Sequence, residues 1–425
     1  MTDGACRGTM DPGSFLRSLF DIAVAAVHPD RVLPPHLPEP PQGRTVVLAF
    51  GKAATAMADA AAAHWPSPLT GLAVTRYGHA LPGFPRRGNL ELIEAGHPVP
   101  DRMSVAGARR ALELARELGQ DDLALVLVSG GGSALLCLPM PGLSLEDKQR
   151  ITSELLRAGA SIRELNTVRK ALSQVKGGRL AEAAAPARVD TLIISDVVGD
   201  DPAMIASGPT VPRRETLGEV QAILRRYRIE LPPGVLDTLM TESPSSPLRG
   251  DNRCRVVASS ADALAAAAAA ARDAGVAVRL LGDAIEGDAR EAAAPHAALA
   301  KETAQSAKPT VVLSGGELTT TVRNANGIGG PNTEFLLALA IELEGAAGIH
   351  AIACDTDGYD GAGRHAGALA GPRTLVRAEA AGIDPAQALD ASDSGRFFEA
   401  LGDLVITGPT QTNVSDFRAI LVGGP

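Results

Sequence analysis

Leu125-Val-Leu-Val-Ser-Gly-Gly-Gly-Ser-Ala-Leu-Leu136 is the stretch from which the fold can be read. Its first four residues are apolar and two are β-branched, the composition of a strand buried on both faces of a parallel sheet. The strand stops at Ser129-Gly130-Gly131-Gly132-Ser133, where an open α/β sheet places its ligand crevice. Glycines there permit φ > 0 and let backbone N–H groups approach a ligand with no Cβ between them. The flanking hydroxyls of Ser129 and Ser133, with several amides, then make a nest for an anion. A strand-to-helix turn without a ligand is the plainer alternative. Three consecutive glycines carry a large entropy cost for so modest a role.

The arrangement recurs along the chain. Val311-Val-Leu-Ser-Gly-Gly-Glu317 is again a strand running into Ser-Gly-Gly, and Val46-Val-Leu-Ala-Phe-Gly-Lys52 is a strand running into Gly51-Lys52. Thr191-Leu-Ile-Ile-Ser-Asp196 and Ile352-Ala-Cys-Asp355 are strands running into acids. Five such ends predict one site at the carboxyl edges of parallel sheets. Lys52 would sit in the first turn of a helix, where the dipole disfavours a cation, so a phosphate or carboxylate ligand is its better partner.

A chain of 425 residues is too long for one ordinary core, so two or three domains are expected. Net charge is −9, which argues against a nucleic-acid partner or an anionic membrane surface. An anionic small substrate still fits if cations cluster locally. Cys6, Cys137, Cys254 and Cys354 are scattered, without CxxC spacing, the pattern of a reducing compartment. Leu123–Leu145 is uncharged, yet its glycines and prolines read as strand, turn and loop rather than a membrane span. A cytoplasmic location is expected.

Helical spacing predicts helices over Asp11–Val27, Ser104–Leu118, Glu146–Ala158 and Ser161–Leu180. In the last, Asn166, Arg169, Lys170, Ser173 and Lys176 would share one face. A face with cations and no acid is either a solvated helix side or part of an anion site, and Lys176-Gly-Gly178 would let backbone come close. The Pro- and Ser-rich segment Thr241–Pro247 is the best linker. Two α/β domains are therefore expected, at 11–245 and 250–425, with the active site in the cleft between them.

The nucleotide fingerprints are absent. Walker A fails at Gly51-Lys52, with Val46 at its first glycine position and Ala53 at its last. A Rossmann fingerprint from Gly130 would need glycine at Leu135. Asp355-Thr-Asp357-Gly-Tyr-Asp360 resembles the opening of an EF-hand, but Gly358 is misplaced. Its three carboxylates want a cation, and Mg²⁺ suits acids that also face phosphates; an Asx-rich turn is the alternative. His79 and His97 follow strands, as cleft residues or as polar turns. Glycine nests, a basic face, clustered acids and an isolated lysine together fit phosphoryl transfer from a nucleotide–Mg²⁺ complex.

At this point the chain resembles the glycerate 2-kinase family that carries a MOFRL domain, whose members are often labelled hydroxypyruvate reductase. The resemblance rests on Phe50-Gly-Lys-Ala53, Thr75-Arg-Tyr-Gly-His79, Gly96-His-Pro-Val-Pro-Asp101, Ser129–Ser133 and Asn166-x-x-Arg-Lys170. It continues through Lys176-Gly-Gly178, Ser195-Asp196, Ser207-Gly-Pro-Thr210, Ser314-Gly-Gly-Glu317, Thr356–Gly361 and Thr407-Gly-Pro-Thr…Thr-Asn413. It implies a Rossmann-like N-terminal domain followed by an α/β MOFRL domain, and transfer from ATP with Mg²⁺ to the 2-hydroxyl of D-glycerate. By the same resemblance Lys52 and Asp196 are catalytic, Asp196 activating the hydroxyl. Gly51, Ser129, Gly130, Gly131, Gly132, Ser133, Asn166, Arg169, Lys170, Lys176, Glu317, Asp355 and Asp360 bind nucleotide or substrate, and Asp357 holds the metal. A homodimer is left as an open expectation.

Two positions depart from the family. Pro331 stands in Gly329-Gly-Pro-Asn-Thr-Glu334 where members usually have arginine, and Gln411 stands where glycine is common. Proline cannot offer the bidentate grip of arginine. Arg76, Arg323 or Arg364 would have to replace it. The open alternatives are a kinase of a related short hydroxy or sugar acid, a binder impaired at Pro331, and an NAD(P)H-dependent reductase.

Overall fold

The computed structural model describes residues 11–241, 252–306, 308–321, 323–324 and 326–425. The expected linker lies, beyond Thr241, outside the described residues. The described chain divides into two compact units. One holds residues 28–258 together with the tripeptide Gln411–Asn413, and the other holds residues 11–27, 259–410 and 414–425. These edges differ from the expected ones. Helix Pro12–Ala26 packs on helix Ser260–Asp273 in the second unit, and strand Arg253–Ala258 completes the sheet of the first.

The first unit is built on β1 (Thr45–Phe50), β2 (Thr70–Arg76), β3 (Asn89–Ala95), β4 (Leu123–Val128), β5 (Arg188–Ile194) and β6 (Arg253–Ala258), all parallel, in the order β3-β2-β1-β4-β5-β6. That is the order of a doubly wound sheet, whose strand direction of travel reverses between β1 and β4. Every residue of β1 and β4 is buried, as their unbroken apolar runs require. Val46, Leu48 and Phe50 share a core with Val126, Val128 and with Ala108, Ala111 and Leu112 of helix Arg102–Arg116. Each large side chain so buried contributes about 1.5–3 kcal/mol. That helix starts where Asp101 accepts from the amides of Met103 and Ser104, both at 3.0 Å.

The expected long helix over Ser161–Leu180 is corrected. Helix Ile162–Ala171 ends there, and the next residues pair as extended chain with Leu138–Pro139: Gln174 N donates to Leu138 O at 2.9 Å. Ser173 helps to end the helix by accepting from the Val175 amide at 3.3 Å. Asn166, Arg169 and Lys170 are therefore helical while Ser173 and Lys176 are not, and the single polar face does not form.

The second unit holds β7 (Ala277–Leu280), β8 (Gly287–Asp288), β9 (Thr310–Ser314), β10 (Leu318–Thr319), β11 (Ile349–Asp355), β12 (Gly367–Ala370), β13 (Leu404–Val405) and β14 (Asp416–Val422). Its main sheet runs β13-β12-β11-β14-β9-β7 and is mixed rather than parallel, because only β7 and β9 pair in parallel. β9 and β11 both lie antiparallel to β14, so Ser314 and Asp355 end on the same edge. No helix among the described residues is long and apolar enough to cross a membrane.

Candidate active site

The candidate centre of the first unit forms where β1 and β4 end side by side. Ser129 N donates to Phe50 O at 2.9 Å, Lys52 N to Gly130 O at 2.9 Å, and Ala53 N to Ser129 Oγ at 3.0 Å. These bonds tie Gly51-Lys52 to the Ser129–Ser133 loop before any ligand arrives. The Ser129 hydroxyl thus accepts a bond from within the fold, and Ser133 Oγ meets Ser207 Oγ at 2.9 Å. Both were expected to face the anion, and both instead fasten the loop. What the loop offers is backbone: the amides of Gly130, Gly131 and Ser133 donate to none of the described residues. Gly131 needs its glycine, since it adopts φ +82° in the left-handed region.

Around these amides stand the side chains that can do chemistry. A Cβ built on Gly131 would lie 3.1 Å from the His97 imidazole and 3.3 Å from Lys52 Cγ, so both residues flank the loop. A Cβ on Gly130 would fall within bonding range of the Asp196 carboxylate and the Asn413 amide. Gly130 is therefore present because the acid passes directly over its α-carbon. Asp196 follows β5, and its Oδ2 accepts from Asn413 Nδ2 at 3.0 Å. Lys52 and Asp196, read from two separate strand ends, are thus brought to one loop. His97 and Asn413 complete the group; His97 was weighed as a turn residue, and Asn413 was visible only as the end of a motif.

The remaining expected binders of this unit take supporting positions. Asn166 is buried and accepts from Ser207 Oγ at 3.2 Å. Lys170 pairs with Glu215 at 2.8 Å with its side chain only 3% exposed, so it presents no free charge to a ligand. Lys176 is buried under the loop and bonds backbone carbonyls. Arg169 is partly buried, which pulls its guanidinium below its usual range.

Gln411 explains itself here. It holds φ +65°, a conformation that suits the glycine common at this point, and it compensates through its side chain. Its Nε2 donates to His79 O at 3.2 Å, and its Oε1 accepts from Thr55 Oγ1 at 3.5 Å. Gln411→Ala keeps the strained backbone and loses both bonds, so it is expected to cost about 1–2 kcal/mol in urea unfolding. Gln411→Gly relieves the strain while losing the same bonds and is expected to stay within about 1 kcal/mol of the wild type.

In the second unit, Asp360 anchors a helix start. Its carboxylate accepts from Asn332 N at 2.9 Å, Thr333 N at 2.8 Å and Thr333 Oγ1 at 2.7 Å, at the start of helix Pro331–Leu343. Burial still pushes its carboxyl up to about 6 against these donors. Pro331 occupies the first helical position, where no N–H is needed. Of its three suggested stand-ins, Arg323 bonds Asp390 at 3.3 Å, Arg364 is exposed, and Arg76 ends β2. Asn332 Nδ2 donates to Asp416 Oδ1 at 2.7 Å, and Asp416 Oδ2 accepts from buried Arg418 at 2.9 Å. Glu317 lies exposed after β9.

Asp355 and Asp357 are joined through backbone: Asp357 N donates to Asp355 Oδ1 at 2.9 Å, and Asp357 Oδ1 accepts from Tyr359 N at 2.7 Å. Among the described residues, no three His, Cys, Asp or Glu side chains form a metal cage. One or two hard carboxylate oxygens still match Mg²⁺, which keeps water and substrate phosphates as its other ligands.

Comparison with known proteins gives a consistent picture. A family model described as a domain of unknown function, DUF4147, matches residues 15–240, and the MOFRL family model matches residues 310–416. A relative from Agrobacterium vitis, provisionally named a hydroxypyruvate reductase, is 50% identical over 100% of this chain and 98% of its own length. The D-glycerate 2-kinase of Thermotoga maritima is 39% identical over 96% of this chain and 98% of its own. The crystal structure of the glycerate kinase from that organism superposes with a TM-score of 0.85 at 38% identity, covering 96% of this chain and 99% of that one.

Proposed function

Because the chain belongs to the glycerate kinase family built from a DUF4147 and a MOFRL domain, we propose that it is an ATP-dependent D-glycerate 2-kinase, a phosphotransferase with an alcohol group as acceptor. The observation that carries the reading is the meeting of Lys52, Asp196 and three unbonded loop amides at the point where the parallel sheet changes direction. Open α/β sheets bind their ligands at that point. Phosphoryl transfer asks a protein mainly for positioning and charge neutralisation, and these groups supply both.

In this reading the loop amides hold phosphate oxygens. Lys52 balances negative charge on the group in transfer. Asp196, oriented by Asn413, takes the proton of the C2 hydroxyl as that oxygen bonds to the γ-phosphorus and the bond to the ADP oxygen breaks. Asp357, with Asp355 beside it, is the proposed protein ligand for Mg²⁺, which when bound neutralises phosphate charge. A reductase would need a nicotinamide site, and Leu135 stands where the dinucleotide fingerprint requires glycine.

The test is ADP release by the purified chain with Mg-ATP and D-glycerate, repeated with Pro331→Arg. Turnover by the wild type is expected. The arginine adds a charge-assisted donor pair, so KM for D-glycerate should fall about tenfold with kcat little changed. Wild-type oxidation of NAD(P)H with hydroxypyruvate, in the absence of ADP release, would overturn the assignment.

A further inference from the structure

Beneath the loop lies a buried cation that the transfer chemistry leaves unused. Lys176 is 1% exposed, and its Nζ donates to Ser133 O and Leu136 O, both at 2.9 Å. One of those carbonyls lies within the turn Gly132–Leu135 into which the loop runs, and the other directly follows it. The residues after Lys176 hold the same place from another side: Gly177 N donates to Ser207 O at 3.1 Å and Gly178 N to Gly208 O at 2.9 Å. Ser207 in turn meets Ser133 and Asn166.

A second buried lysine stands nearby. Lys148 is 5% exposed and donates to Leu172 O at 3.1 Å. Among the described residues neither ammonium has a carboxylate partner, whereas Lys170 is paired. Burying uncompensated charge costs stability, and apolar side chains of similar shape would serve the core better. The arrangement makes sense where the missing negative charge is supplied by a ligand. Lys176 then ties a fixed cation to the turn that carries the Ser133 amide, in a low-dielectric setting that strengthens such interactions.

We propose that Lys176 is the positioning residue of the Ser129–Ser133 loop, fixing it through the carbonyls of Ser133 and Leu136 and placing a positive charge behind the amides that hold nucleotide phosphate. The inference rests on the kinase reading of that loop. The groups that face Lys176 are Lys148 on helix Leu145–Arg157, Arg169 on helix Ile162–Ala171, and Cys137 just after the loop's turn. Burial first, and then the Lys148 charge, press its ammonium down to about 7. A lysine lowered in this way is charged below that pH and neutral above it. Phosphate therefore binds more tightly on the acid side, and binding draws a proton onto the lysine.

The test is calorimetric binding of Mg-ADP from pH 6 to pH 9 by the wild type, Lys176→Met and Lys148→Met. Wild-type affinity is expected to fall about tenfold across the range beyond the nucleotide's own titration, which Lys176→Met retains as baseline. Lys176→Met should bind about tenfold more weakly than wild type at pH 6, and by pH 9 the gap should narrow to the smaller loss that follows from the missing donors to Ser133 O and Leu136 O. Lys148→Met removes a like charge, so the fall moves to higher pH. It should also raise the melting temperature, since Leu172 O keeps the Met140 amide as a donor. If Lys176→Met fails to fold, the shift in Lys148→Met decides.

Identical pH profiles for all three proteins, or a wild type that does not bind Mg-ADP, would overturn the proposal. Binding with the expected profile but no phosphorylation of D-glycerate would leave the role of Lys176 standing and remove the acceptor assignment instead.

Discussion

Gly130→Ala is expected to lower kcat/KM for D-glycerate about 100-fold or more while leaving a folded protein. The added methyl would occupy the space of the Asp196 carboxylate and the Asn413 amide, so one of these groups must move. Displacing a reacting group by about 1 Å costs about 10²-fold in rate, because the near-attack geometry is lost. Gly130 is buried, so overpacking should add about 1–3 kcal/mol of destabilisation in urea unfolding. The check is steady-state kinetics beside far-UV circular dichroism. Near-normal kcat/KM in a folded variant would show that Asp196 does not act at this loop.

Asp196→Asn is expected to reduce kcat about 10²–10⁴-fold with little change in KM for Mg-ATP. A carboxamide cannot accept the hydroxyl proton, while its shape and much of its hydrogen bonding to Asn413 remain. Loss from kcat and kcat/KM alike identifies an interaction made in the transition state. A Lys52→Met variant should differ: it removes charge that phosphate meets in both ground and transition states, so KM for Mg-ATP should rise as kcat falls. Wild-type kcat in Asp196→Asn would move the base role elsewhere.

The strand ends were legible in the sequence because each carries two local signals that agree. Val46–Phe50, Leu125–Val128 and Leu192–Ile194 are unbroken apolar runs, and each stops at a residue type that ends strands for a physical reason. Lys52, Asp196 and the loop could be placed together on that basis. No single basic face forms, because the helix stops at Ala171 although the helical spacing of polar residues runs on through Ser173 and Lys176. The inward turn of the Ser129 and Ser133 hydroxyls depends on Ala53 and Ser207, distant in sequence, so the sequence alone carries no sign of it.

The second sheet hid more. β14 is Asp-Phe-Arg-Ala-Ile-Leu-Val, and an arginine in mid-strand reads as exposed. Arg418 is instead buried and satisfied by Asp416 and Ser314, at 2.9 and 3.3 Å. A buried arginine is tolerable only with such partners; Asp416 lies two residues away on the same strand, and Ser314 comes from β9. In the sequence, Asp360 is one of three carboxylates within six residues, with no cation among them to balance it. Its true neutralisers are the amides and hydroxyl at the start of a helix nearly thirty residues earlier.

The position of the transferred phosphate decides which hydroxyl Asp196 activates. D-glycerate and Mg-ATP are incubated with the chain, and the product is passed to enolase without any phosphoglycerate mutase. Enolase is expected to convert the product to phosphoenolpyruvate in amounts matching the ADP released, since enolase takes 2-phosphoglycerate. ADP release with no phosphoenolpyruvate until mutase is added would mean 3-phosphoglycerate, a different hydroxyl over Asp196, and would contradict the assignment.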